Sequence, residues 1–166
     1  PAGAFREDAG RWTAGDLHTH TVLSDGRRTL EEVARHAFAN GLDWFITTDH
    51  GGNLRKGDPF PIVERVRKEF PDKEILLGFE WSVPGYEHAV VAIAKGEPRA
   101  LEDFEYMCDA HDRDAGRDLP KWNRTRADAL SCAVFLESGT GGDSLFLPTH
   151  PSRGPKYDIA ALRELN

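Results

Sequence analysis

The chain has 166 residues, 39% hydrophobic and 30% charged, a composition that fits one soluble globular domain with a sizeable core. Its formal net charge of −7 argues against an extended nucleic-acid surface, because phosphate backbones reward clustered Lys and Arg. A phosphate-bearing small molecule stays compatible, since bound cations reverse the sign of a local field. No apolar run approaches the roughly 20 residues of a membrane span, and no signal peptide is present, which leaves cytoplasmic and exported settings open. The two cysteines, Cys108 and Cys132, form no Cys-x-x-Cys pair, so a cysteine zinc site is not expected. They either pair in an oxidising compartment or remain buried thiols.

Residues 1–10 are polar and rich in small residues, and read as an N-terminal arm to a domain over 11–166. Trp12 to His20 is the first strand candidate. Thr29 then opens a helix, with Glu32 in capping-box position, and Leu30, Val33, Ala34, Ala37 and Phe38 form an apolar stripe at helical spacing. Gly41 after Asn40 stops it. Leu42 to Thr48 is rich in aromatic and β-branched residues and reads as a second strand, running into Asp49-His50-Gly51-Gly52. A polar loop over Asn53 to Pro61 leads to a second helical face of Ile62, Val63, Val66 and Phe70. Glu74 to Phe79 is a third strand, ending at Glu80 and Trp81. After a turn at Pro84-Gly85, His88 begins a fourth strand whose continuous apolar run suits burial on both faces.

The acidic segment from Glu97 to Lys121 reads as an insertion. A helix follows over Arg126 to Glu137, with Leu130, Ala133 and Val134 as its apolar positions. A Gly-rich connection then leads to a fifth strand, Ser144 to Leu147, and to Pro148-Thr149-His150-Pro151. Asp158 to Leu165 closes the chain as a short helix. Strands alternating with helices predict an α/β fold with parallel βα units. Such folds keep their chemistry at the C-terminal ends of the strands. His88 departs from that rule, and antiparallel pairing is one way to reconcile it.

The stretch Asp16 to Gly26 (DLHTHTVLSDG) carries the strongest chemical signal. On a strand, His18 and His20 point to one face, so two imidazoles stand together as a pair of metal ligands. Asp25 adds a carboxylate from the turn that follows. His50 stands beside Asp49 at a strand end, as a ligand or as a turn histidine bonded to backbone. Glu80 is the only acid in an apolar stretch, so it is solvated, paired with an Arg or bound to metal. His88 adjoins a buried strand, and His150 follows the fifth. His36 lies on the polar side of the first helix and reads as surface. Asp109 and His111 have the letters of a ligand pair but lie in the acidic insertion. Five histidines and two acids at successive loop mouths exceed the needs of one tetrahedral zinc, so two or three metals fit better.

The stretches DLHTHTVLSDG, GLDWFITTDHGG, GFEWS with EHAVV, and LPTHPSR, in that order from Asp16 to Arg153, resemble the PHP (polymerase and histidinol phosphatase) superfamily of metal-dependent phosphoesterases. The opening RWTAGDLHTHT is most similar to its stand-alone hydrolases, which include aryl-carbamate hydrolases. The resemblance implies a distorted (β/α)7 TIM-like barrel with two or three divalent ions of zinc, manganese or iron. It implies that His18, His20 and Glu80 hold one metal, that Glu80, His88 and His150 hold the second, and that Asp25 and His50 hold the third. Arg153 would grip a substrate phosphate. The implied reaction is attack of a metal-bridging hydroxide on a small phosphate ester. The alternatives are hydrolysis of carboxylic or carbamate esters and amides, and a degenerate domain that only binds. The family's late Asp-x-His pair has no match after His150. A full βα barrel takes about 250 residues, so the barrel is expected to be incomplete in this chain. Oligomeric state is left open.

Overall fold

A computed structural model of the chain describes residues 12–51, 59–93 and 144–150, with single positions and short runs between 125 and 163. Its elements are β1 (Gly15–Thr19), α1 (Leu30–Ala39), β2 (Trp44–Thr47), α2 (Phe60–Glu69), β3 (Glu74–Ser82), β4 (His88–Ile93) and β5 (Ser144–Pro148). The five strands form one sheet in chain order. β1, β2 and β3 are parallel neighbours, and β4 lies antiparallel to both β3 and β5.

Local chemistry sets the first helix. The Thr29 hydroxyl accepts from the Glu32 N–H at 3.3 Å, and the Glu32 carboxylate accepts from the Thr29 N–H at 2.9 Å. This reciprocal cap contributes about 1 kcal/mol. The helix stops where Gly41 takes a φ of 90°, a left-handed conformation that glycine adopts without a Cβ clash. α1 buries Leu30 and Ala34, and α2 buries Val63 and Val66. Both helices pack on the outer face of the sheet, where Phe45, Ile75, Leu77, Phe79 and Trp81 complete the core. Phe38 links the layers, with its ring 5.6 Å from Phe45 and 5.0 Å from Phe70. Each large apolar side chain fully buried there contributes about 2–3 kcal/mol.

β3 alternates strictly. Ile75, Leu77, Phe79 and Trp81 belong to the outer core, continued by Val83 just past the strand, and Glu80 lies on the inner face between Phe79 and Trp81. Glu80 pairs with Val90 of β4 and bridges to His50 beyond β2. The Tyr157 hydroxyl donates to the Glu87 carbonyl at 2.7 Å, and its ring stacks on Tyr86 at 5.0 Å, fastening the β3–β4 turn.

Several expectations change. The first strand is Gly15–Thr19, shorter than the Trp12–His20 reading. The third strand continues past Phe79 to Ser82, because antiparallel pairing with β4 extends the ladder through Glu80 and Trp81. α2 begins at Phe60, inside the stretch read as a loop, with Pro59 at its cap. The helix after 125 packs through Ala129 and Ala133, the latter one of the three apolar positions read in the sequence, whereas Leu130 and Val134 are exposed, so the packed face is rotated from the expected stripe. The acidic insertion with Cys108, Asp109 and His111, and also Cys132, lie outside the described residues. No helix among the described residues is long and apolar enough to cross a membrane.

Candidate metal centre

The site forms at one end of the sheet. At the end of β1, Thr19 is locked onto β2: its N–H donates to the Thr48 hydroxyl at 2.8 Å, and its own hydroxyl donates to the Ile46 carbonyl at 2.6 Å. The β1–β2 register shifts between Asp16 and Thr19. Irregularities of this kind re-aim side chains at strand ends. His18 and His20 flank this lock and turn to the same side, with their Nε2 atoms 2.8 Å apart. The turn that follows closes through Ser24 and Gly26 N–H groups, both donating to the Thr21 carbonyl. A Cβ at Gly26 would lie 2.5 Å from the His20 backbone, so only glycine fits there. Asp25 thereby reaches His20, with Oδ1 2.6 Å from Nδ1.

Glu80 stands at the centre. It is 1% exposed, yet five imidazoles surround its carboxylate. Oε1 lies 3.3 Å from His18 Nε2, 3.4 Å from His150 Nε2 and 3.8 Å from His88 Nδ1. Oε2 lies 3.3 Å from both His20 Nε2 and His50 Nδ1. The Thr149 hydroxyl donates to Oε1 at 3.0 Å. His88 opens β4 and pairs with Ser82, so the antiparallel turn returns it to the same end of the sheet. His150 follows β5 with a φ of 51°, a left-handed conformation uncommon for residues other than glycine and enriched at functional sites. The Arg153 N–H donates to the His150 carbonyl at 2.9 Å.

The eight residues that the family resemblance assigns to the site (His18, His20, Asp25, His50, Glu80, His88, His150 and Arg153) line one open cleft of about 490 Å³. His36 stays apart on the surface, where it accepts a hydrogen bond from Arg28 at 2.9 Å. The Arg partner considered for Glu80 is replaced by histidines among the described residues. Asp49 does not act as the companion of His50. Its carboxylate faces the β1 turn and accepts from the Thr21 N–H and hydroxyl, both at 2.7 Å, and from the Ser24 hydroxyl at 2.6 Å. Sequence reasoning gave Thr149 and Ser24 no role. The residue types suit hydrogen bonding, but no spacing links them to Glu80 or Asp49.

Electrostatics follow the geometry. Burial alone would raise the Glu80 pKa, but hydrogen bonds from His18 and His20 outweigh it and hold the carboxyl well below the usual range. The hydrogen bond to Glu80 raises the His20 pKa against the opposing effect of burial, and Asp25 adds to the rise. Burial opposes ionisation of Asp25 as well, but its contact with His20 lowers the pKa on balance. A carboxylate this enclosed demands positive charge nearby.

The donor set fits divalent cations. Three groups each bring ligand atoms within 4.8 Å of one another: His18, His20 and Glu80; His20, Asp25 and His50; and Glu80, His88 and His150. A tetrahedral ion with ligand bonds of about 2.0–2.1 Å holds its ligand atoms about 3.3–3.4 Å apart. Within these groups His18, His20 and His150 lie 3.3–3.4 Å from Glu80, while His18–His20 is shorter at 2.8 Å and His88–Glu80 longer at 3.8 Å.

No protein-family model matches the chain. A stretch of 46 residues is 46% identical to a protein of Acetivibrio thermocellus named "Probable phosphatase", a match that spans 27% of this chain and 19% of that protein. The structure is similar to the crystal structure of "a putative metal-dependent phosphoesterase" from Bifidobacterium adolescentis, with a TM-score of 0.56 and 14% identity over 92% of this chain and 73% of that one. At that identity the likeness is one of fold. The fold is mixed α/β, with the five strands forming a curled half-barrel sheet consistent with a partial TIM-like barrel. A full (β/α)7 circuit is not formed among the described residues.

Proposed function

We propose that the chain is a metal-dependent phosphoesterase of the PHP type that hydrolyses a small phosphate ester. The carrying observation is the buried Glu80 carboxylate ringed by five imidazoles. The names of the phosphatase and phosphoesterase relatives support the same chemistry. In this reading residues 11–166 act as one domain behind an arm over 1–10. Two or three ions of zinc, manganese or iron would be held by these ligand groups, with Glu80 offering an oxygen to two of them and His20 within reach of two but serving one. Bound there, such ions supply Lewis-acid stabilisation of phosphoryl oxygens and bring the pKa of a coordinated water near neutrality.

The chain's own residues do the rest. Imidazole nitrogens line the cleft as metal ligands, and Glu80 supplies the negative charge that gathers cations in its interior. Arg153, exposed at the rim, can hold a phosphate oxygen pair bidentately and orient the ester. The cleft volume of about 490 Å³ falls in the range of small-molecule sites.

The test is metal content, by elemental analysis of protein purified without chelator or affinity metal, joined to turnover of a generic phosphoester in the metal found. The expected result is two or three equivalents of transition metal. Glu80→Gln should lower turnover by about 10²–10³-fold or more, the scale of losing a central electrostatic group. Unchanged turnover in Glu80→Gln rejects the mechanism. Turnover confined to carboxylic or carbamate esters moves the chemistry to a different bond. Full folding with no bound metal and no turnover leaves a binding module.

A further inference from the structure

We propose that Asp49 is a positioning residue that sets the third ligand group, His20, Asp25 and His50, by clamping the turn after β1. This rests on the metal-centre reading above and adds to it a residue that touches no ligand atom of the site.

Asp49 is 3% exposed and lies between Thr48 and His50 at the end of β2. A buried carboxylate needs donors, because an unsatisfied one is strongly disfavoured. Those donors all come from one short turn. Thr21 N–H and Ser24 Oγ–H meet Oδ1 at 2.7 and 2.6 Å, and Thr21 Oγ–H meets Oδ2 at 2.7 Å. The Thr21 hydroxyl in turn accepts from the Leu23 N–H at 3.1 Å. The clamped turn runs from His20 to Asp25, so both ends of the hydrogen-bonded segment carry a proposed ligand.

The backbone of Asp49 works on the other side. Its carbonyl accepts from the Glu80 N–H at 3.0 Å, and the next residue, His50, bridges to Glu80. One residue therefore ties the β1 turn, the β2 end and the centre of β3 together. Alternation along an extended segment explains why this is possible. His50 faces the cleft, so its neighbour Asp49 faces the opposite side, toward the turn. The ligand Asp25 is itself exposed and reaches His50 Nε2 only at 3.6 Å. The backbone bonds of the turn set its shape, and the clamp fixes that turn against β2, so Asp25 is held toward His50.

The three ligand groups are not equally dependent on this clamp. His88 and His150 are carried by β4 and the segment after β5, which Asp49 does not touch. Loss of the clamp frees Asp25, which belongs to the third group alone, while His20 stays held by the bonds of Thr19 to Thr48 and Ile46; it should thus weaken one metal and spare the Glu80, His88 and His150 group. Support groups behind ligands typically affect metal affinity by about 10- to 100-fold.

The experiment is calorimetric titration with Mn²⁺ of the chelator-treated full chain, comparing wild type, Asp49→Ala, Ser24→Ala, Asp25→Ala and the double variant Asp25→Ala with Asp49→Ala. Circular dichroism and Tm are recorded alongside. Asp49→Ala should weaken one Mn²⁺ equivalent by about 10- to 100-fold. Ser24→Ala, which removes one donor only, should weaken the same equivalent by a smaller factor. Asp25→Ala should abolish that equivalent, and adding Asp49→Ala should then change Mn²⁺ binding no further, although it still lowers Tm. That non-additivity separates positioning from general support, because independent losses add. Wild-type affinity in both Asp49→Ala and Ser24→Ala overturns the inference while leaving the metal centre standing. Equal weakening of every equivalent, or a further loss in the double variant, also overturns it. A wild-type chain that binds no Mn²⁺ or other divalent ion overturns this inference and the metal-centre reading together. Should Asp49→Ala fail to fold, Ser24→Ala carries the same comparison, since it removes a single hydroxyl at a part-buried position.

Discussion

In the parallel half of the sheet, β1 and β2 deliver His20 and His50 just past their C-terminal ends, whereas in the antiparallel half β4 delivers His88 as its first residue. The parallel strands must return through α1 and α2 before the next ligand can be placed. The antiparallel strand needs only a tight turn, in which Gly85 takes a φ of 77°. Both routes end on the same carboxylate, Glu80, within 3.3–3.8 Å. Strand direction therefore does not define the chemistry in this fold; the end of the sheet does. The parallel half also carries α1 and α2 and much of the core, so it combines scaffold and site, while the antiparallel half contributes ligands, the fastening at Tyr157 and the core contact at Ala129.

The sharpest way to break this comparison is one histidine from each half. His18→Ala and His88→Ala should each weaken metal binding by about 10- to 100-fold or more, on different equivalents. Calorimetric titration reads this directly. Wild-type binding in His88→Ala would remove the antiparallel half from the centre.

A smaller effect should appear with pH in chelator-treated protein. Glu80 and Asp25 have folded pKa values lowered from their ordinary 4.5 and 3.8, so their contribution is present above those values and is lost as pH falls through the folded ones. His20 has a raised pKa, so its contribution is complete below its ordinary 6.5 and is lost as pH rises through the folded value. Tm should thus peak between these limits. Added Mn²⁺ should move the peak upward, because protons compete with metal for imidazole. A chelated Tm that keeps climbing well above the His20 range contradicts the pairing of His20 with Glu80. The smallest effect belongs to the parallel half alone. Thr29→Ala should cost about 1 kcal/mol, a drop of about 2–4 °C in Tm, with metal stoichiometry unchanged.

Much of this was legible in the sequence because it was local. The capping box at Thr29 and Glu32, and the paired histidines around Thr19, use residues only a few positions apart. The cleft brings together every ligand candidate that recurred at strand ends. What escaped was non-local. Thr149 and Glu80 are 69 residues apart, and Asp49 and Ser24 are 25 apart, so no periodicity connects them. The length of β3 escaped for the same reason: its final residues are held by pairing with β4 rather than by their own propensity. The exposed Leu130 and Val134 show the converse error, in which helical spacing was right but the face was chosen by the surrounding packing.

The alternation along β3 has a consequence for how this gene can vary. Phe79 and Trp81 enter the core on one side, and Glu80 enters the cleft on the other. A substitution in β3 perturbs one environment. A single-codon deletion or insertion between Glu74 and Gly78 exchanges both, driving a carboxylate among aromatic rings and two aromatic rings into the histidine cluster. Compensating point changes elsewhere cannot repair that swap. Viable descendants of this sequence should therefore tolerate gaps in their surface loops while keeping the spacing from Glu74 to Glu80 fixed in length.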